Sequence, residues 1–191
     1  EPVLTLGFLV AAIVLIGFRL QAFDLPLETD EANYAYIGGR LLGGDRLYVD
    51  VWDHQPFGVY VLTAAVIRVF GDAVHVFRWS AMAASLVSLA LLMAILRRIC
   101  NARAAIVGGA LFALVSTDPG TGGEGCNREV YMNALILGGW FFALGERRWN
   151  KSLVVAGLLL GAASTFKTVV AVHWVLLAVY LLFAADGEDV E

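Results

Sequence analysis

The chain has 191 residues, 60% of them hydrophobic and 16% charged, with a mean hydropathy of +0.76, whereas soluble domains run about 45–50% apolar and about 25% charged. That composition excludes an ordinary soluble domain and describes an integral membrane protein. Its 13 basic and 17 acidic residues give a formal charge of -4, and with most acids in loops and no basic stripe a nucleic-acid partner is excluded too.

The first apolar segment, residues 2–21, carries Glu1 where a signal peptide has a basic region. It leaves through Arg19–Asp24 without a small-x-small cleavage site, so it reads as a retained signal anchor. Further apolar segments at 75–96, 104–117, 130–145, 152–166 and 168–185 suit helices crossing about 30 Å of hydrocarbon. Those at 104–117 and 152–166 are short and call for local bilayer thinning or snorkelling flanks. Pro2, Pro26, Pro56 and Pro119 all stand at or beyond segment ends, where proline does least harm to a helix. The expected fold is all-α: a polytopic membrane helical bundle with two outward-facing loops carrying short interfacial helices. One transmembrane domain spans 1–191, read as the N-terminal part of a longer module.

Short basic loops face the cytoplasm. Arg97, Arg98 and Arg103 form one basic turn, and Arg147, Arg148 and Lys151 another, with two apolar segments between them. Residues 24–72 and 118–129 then lie together on the outer side. Cys100 and Cys126 fall on opposite faces in this topology, which predicts two free thiols.

The outer stretch 24–56 holds seven acids (Asp24, Glu28, Asp30, Glu31, Asp45, Asp50, Asp53) against Arg40 and Arg46. Acids clustered against apolar spans are costly unless solvated or used, which makes them functional candidates. Tyr34, Ile37 and Leu41 recur at helical spacing, predicting a short interfacial helix capped by Thr29 or Asp30 and ended by Gly43 and Gly44. A second is expected from Pro56, in its first turn, to Phe70, stopped by Gly71.

Asp30 and Glu31 read either as a cap with an acidic first turn or as a base and its partner at the membrane boundary. In the second loop, Asn127 and Glu129 admit the same two readings. Two outer loops that each end in an acid at a helix start favour one shared site. His54 either bonds Asp53 or serves that site. Lys167 interrupts an otherwise apolar run, and it either snorkels or meets an anionic head group. His75 and His173 read as structural. No HExxH, paired CxxC or EF-hand pattern occurs. A divalent cation on Asp30, Glu31 and Glu129 is chemically possible, but the spacing does not require one, and no other cofactor is indicated.

Several stretches in order are similar to the GT-C membrane glycosyltransferases, above all the protein O-mannosyltransferase and aminoarabinose-transferase branches (glycosyltransferase families 39 and 83). They are Asp30-Glu31 with Tyr34 and Tyr36 behind, Leu47 to Gly58 (LYVDVWDHQPFG), Asn127 to Met132 (NREVYM), and Ser164 to Lys167 (STFK). The resemblance covers essentially the whole chain. It implies a sugar donor carried on a polyprenyl phosphate, transfer with inversion to a protein, lipid or glycan acceptor on the extracytoplasmic face, and a place in a cell-envelope membrane, taken as the bacterial inner membrane. Carried over by position, Asp30 is the candidate base with Glu31 beside it and Glu129 as partner. Lys167 and His54 lie near the lipid phosphate, and Arg128, Tyr34 and Asp53 are substrate-binding candidates. Relatives carry Lys-Pro-Pro where this chain has Gln55-Pro56-Phe57. One expected phosphate-binding cation is thus missing, and Arg128 is the substitute. The rival expectation is a transporter or flippase fragment, whose charges belong near the middle of its spans.

Overall fold

In hydrocarbon a backbone must satisfy its own hydrogen bonds, and helices do this within one segment. The computed structural model describes residues 2–123, 125–144 and 150–185. These form α1 (Pro2–Leu20), α2 (Thr29–Leu42), α3 (Gly58–Phe70), α4 (Val74–Ile99), α5 (Ala102–Val115), α6 (Arg128–Ala143), α7 (Lys151–Ser164) and α8 (Ala171–Ala185). Single 3-10 turns lie at Pro119–Thr121 and Thr168–Val170. Among the described residues the only β-pairing is an isolated bridge between Leu47 and Val51. Glu124, the turn bearing Arg147 and Arg148, and the tail 186–191 lie outside the described residues.

The all-α membrane-type fold is the one expected. α1 and α4, of 19 and 26 residues, are long and apolar enough to cross a membrane. α5 and α7 are apolar but only 14 residues long, about 21 Å at 1.5 Å per residue. Along α1, Val3, Leu6, Leu9, Val10 and Ile13 remain exposed, a surface suited to acyl chains.

Among the described residues three apolar clusters form, the smallest of them Phe77 and Ala81 of α4 with Cys126, and two make the main cores. Leu15 of α1, Leu89 and Met93 of α4, and Ala105 and Ala113 of α5 make the first. The second gathers Tyr34 and Ile37 of α2, Tyr60 of α3, Met132 and Ile136 of α6, Leu160 of α7 and Leu177 of α8. α6 packs on both α4 and α7 and joins them. α2 and α3 touch through Gly38, where an added Cβ would meet Ala64 N at 2.9 Å. Small residues allow such backbone approach.

Two helix starts differ from expectation. The N-cap of α2 is Glu28, not Thr29 or Asp30, because the Glu31 carboxylate reaches back to the Glu28 backbone N–H at 3.1 Å. α3 begins at Gly58 with Pro56 outside the helix, and the Gly58 N–H, which the helix itself leaves without a partner, donates to the Thr165 carbonyl at 2.8 Å. Gly43 and Gly71 end α2 and α3 as anticipated, Gly71 at φ 89°. Cys100 and Cys126 are both free thiols.

Candidate active site

At one end of the bundle the C-terminus of α1, the N-termini of α2, α4 and α6, and the α7–α8 corner converge, and two ion pairs sit among them. Glu31 and Arg78 form the first. Arg78 Nη1 lies 3.1 Å from both Glu31 carboxylate oxygens, and the residues are 2% and 3% exposed. Glu31 Oε1 also accepts the Cys126 backbone N–H at 2.5 Å, while Arg78 Nη2 donates to the Pro26 carbonyl at 3.1 Å. One carboxylate thereby ties α2 to α4 and to the loop ahead of α6. Burial, followed by the Glu31 charge, pushes the neighbouring Cys126 thiol up to about 12, so it stays protonated and unreactive.

Glu129 and Lys167 form the second pair, at 2.8 Å, with both side chains about 40% exposed. Arg128 Nε lies 3.4 Å from the same Glu129 oxygen, and its Nη1 donates to the Tyr34 hydroxyl at 2.6 Å. Tyr34 in turn directs its O–H towards Asp30 Oδ2 at 3.4 Å. Burial raises the Tyr34 phenol above its ordinary value, although Arg128 pulls the other way. The phenol therefore keeps its proton and serves Asp30 as a donor. The sequence Asp30, Tyr34, Arg128, Glu129, Lys167 is one connected run of side chains. Asp30 itself is exposed and lines an open hollow of about 410 Å³ with Glu28, Thr29 and Asn127.

Asp53 belongs to an adjoining network. It accepts from Asn33 Nδ2 at 2.8 Å, Tyr60 Oη at 2.6 Å and the His54 backbone N–H at 2.6 Å. Its burial raises the carboxyl pKa, but the Tyr60 and His54 hydrogen bonds outweigh that and hold it below its ordinary value. The Tyr34 and Tyr60 rings meet edge to face at 5.9 Å, which links the two networks. His54 leans on Asp53 at 2.8 Å with its side chain 73% exposed, and no hydrogen bond or ion pair joins it to Glu129 or Lys167. Gly58 fixes this loop to the α7–α8 corner, since a Cβ there would collide with the Thr165 backbone and hydroxyl.

The structure thus brings Asp30, Tyr34, Arg128, Glu129 and Lys167 together, gives Glu31 a separate sealed environment and leaves His54 beside Asp53. The three acids weighed as cation ligands are parted, and among the described residues no group of three or more His, Cys, Asp or Glu side chains is arranged to hold a metal ion.

Sequence reasoning overlooked Arg78 as Glu31's partner and Arg19 as an anchor. Arg19, 2% exposed, donates from Nη1 to the Gly125 carbonyl at 2.9 Å and from Nη2 to the Gly123 carbonyl at 2.7 Å. The available signal was a lone arginine just inside each apolar segment, a costly placement that needs a partner. His173 also has one: Trp140 Nε1 donates to its Nδ1 at 3.0 Å.

The family model for dolichyl-phosphate-mannose-protein mannosyltransferase matches residues 53–189, well over half of the chain. The chain belongs to that family. It is accordingly a membrane glycosyltransferase of the mannosyltransferase-like kind within the GT-C superfamily. Asp53, His54, Arg128, Glu129 and Lys167 fall inside the match, whereas Asp30, Glu31 and Tyr34 precede it. Comparison with curated proteins and with solved structures gives no match. The transporter reading expected charges in mid-span. Among the described residues the charged side chains of the apolar helices sit near helix ends, as with Arg19, Arg78, Arg97, Arg98, Arg103, Arg128 and Lys151.

Proposed function

We propose that the protein transfers a sugar, mannose being the family's indication, from a polyprenyl phosphate to an acceptor hydroxyl on the extracytoplasmic face of a bacterial inner membrane. The observation carrying this reading is the connected run from exposed Asp30 to Lys167 at one end of the bundle. Asp30 takes the proton from the acceptor hydroxyl, whose oxygen forms the new bond to the anomeric carbon. The bond from that carbon to the phosphate oxygen breaks, and the lipid phosphate leaves with the electron pair. A single displacement of this kind inverts the anomeric centre.

Lys167 is well placed to meet the departing charge, because its ammonium is accessible and its partner Glu129 is not sealed. Arg128 is the second cation and stands in for the lysine that Gln55 replaces. Donors preorganised where charge develops are worth more in a partly dehydrated site than in water. Tyr34 holds Asp30 and Arg128 in register. Glu31 acts differently from its neighbour: with Arg78 and the Cys126 amide it sets the position of α2 and so aims Asp30. The open hollow beside Asp30 admits a protein, lipid or glycan hydroxyl as acceptor.

The test is turnover of a radiolabelled polyprenyl-phosphate mannose in proteoliposomes, comparing wild type with Asp30→Asn at equal insertion. General bases typically contribute about 10²–10⁴-fold, so a loss of at least about a hundredfold is expected. Full activity in the variant removes Asp30 from the base role, and no turnover by wild type with any sugar removes the donor assignment.

A further inference from the structure

Beneath the loop that precedes α6 lies a second, smaller cavity of about 190 Å³, walled by α1, α4, α5 and α6. Its lining includes Ser85, Phe112, Ser116, Asn127, Glu129 and Asn133. Ser85 is 2% exposed, and its hydroxyl makes no hydrogen bond among the described residues. Ser116 Oγ is buried without a partner, and the side-chain amides of Asn127 and Asn133 likewise have none. Buried polar groups are paired in the great majority of cases, so the Ser85 and Ser116 hydroxyls, unpaired on one space whose mouth carries the part-buried Asn127 and the exposed Asn133, call for an occupant. In an apolar bundle their cost is higher still.

The chemistry of the wall selects the occupant. The Glu129 carboxylate disfavours an anion, and the Arg19 guanidinium at the cavity's edge already serves the Gly123 and Gly125 carbonyls. What fits is a neutral polyol with one apolar face. Its hydroxyls would meet the serines, the asparagines and Glu129, and its C–H face would lie on the Phe112 ring. Asn133, exposed on α6, stands at the rim, and Asn127 lines both this cavity and the hollow beside Asp30.

We infer that this cavity receives the sugar ring of the lipid-linked donor. The inference rests on the donor class proposed above. Glu129 then divides two subsites: ring hydroxyls on the cavity side, lipid phosphate on the Lys167 and Arg128 side. The anomeric carbon lies between them, reachable past Asn127 from the acceptor's hollow.

The test compares binding of two lipids, polyprenyl phosphate and mannosyl-phosphoryl polyprenol, to the protein in nanodiscs. The variants Ser85→Leu and Asn133→Leu put a branched apolar side chain into the cavity. Wild type is expected to bind the mannosylated lipid at least about tenfold more tightly than the bare phosphate. Both variants should lose that preference and keep the wild-type affinity for polyprenyl phosphate. Asn133 is exposed, so its variant decides the matter if Ser85→Leu does not fold. A preference that persists in the folded variants, or is absent in wild type while polyprenyl phosphate still binds, overturns the inference and leaves the donor's phosphate site standing. If neither lipid binds wild type, the donor assignment falls with it.

Discussion

Two ion pairs at the same end of the bundle, each joining helices far apart in sequence, have opposite surroundings. Glu31–Arg78 is sealed, with both side chains 3% exposed or less and further hydrogen bonds to backbone groups. Glu129–Lys167 is open, with both side chains about 40% exposed. A sealed pair is expensive to break because the survivor is left charged in a dry site. An open pair costs little to exchange for another partner. The first therefore suits holding the scaffold, and the second suits meeting a ligand that comes and goes.

Breaking the sealed pair should have the largest effect. Glu31→Ala leaves Arg78 unpaired, and removing one partner of a buried pair costs about 3–5 kcal/mol. A large fall in melting temperature is expected, and Cys126, buried in the native protein, should become reactive to a maleimide. Glu31→Leu with Arg78→Met, which leaves no stranded charge, should recover much of the stability. A single variant that melts like wild type would erase the contrast.

Opening the exposed pair should leave the fold nearly untouched. Lys167→Ala is expected to change stability by about 1 kcal/mol or less, the range of exposed pairs. Sugar transfer should nevertheless fall, with a raised KM for the lipid donor. Equal losses of stability and activity would make Lys167 a second scaffold residue.

The smallest effect is expected at Asp53. Its pKa is depressed in the folded protein by the Tyr60 and His54 hydrogen bonds, so its stabilising contribution is complete above the unfolded carboxylate value of about 3.9. It is lost as pH falls through the lower folded value. Melting temperature followed from about pH 6 to about pH 3 should decline more steeply for wild type than for Asp53→Asn. Parallel curves would mean that Asp53 is no more bound in the folded state than in the unfolded one.

The sequence made the helices legible, because helical spacing and apolar runs are local signals. Gly43 and Gly71 could be read as stops for the same reason. The starts of α2 and α3 departed from expectation: in α2 the acid three residues on, Glu31, bends back to Glu28, a local contact, whereas Gly58 at the start of α3 is held by Thr165 from far along the chain. Asp30, Glu129 and Lys167 stood out as charges beside apolar segments, and they are connected in space through Tyr34 and Arg128. What could not be read was which of Asp30 and Glu31 is exposed and which is sealed. Adjacent in sequence, they point to different surroundings, and only the packing of α4, with Arg78, determines which one is enclosed. The cavity containing Ser85 and Asn133 was invisible for a related reason, since it is assembled from four helices whose small polar residues carry no motif.

Arg19 has a practical consequence for anyone engineering this protein. Its clasp on the Gly123 and Gly125 carbonyls makes α1 part of the end of the bundle that carries Asp30 and Lys167. A chimaera in which α1 is exchanged for a generic leader helix would insert and accumulate normally, yet its loop ahead of α6 would lose its fastening. Membrane yield would then be a poor proxy for competence, and retaining the final turn of α1 becomes the rule for choosing fusion points.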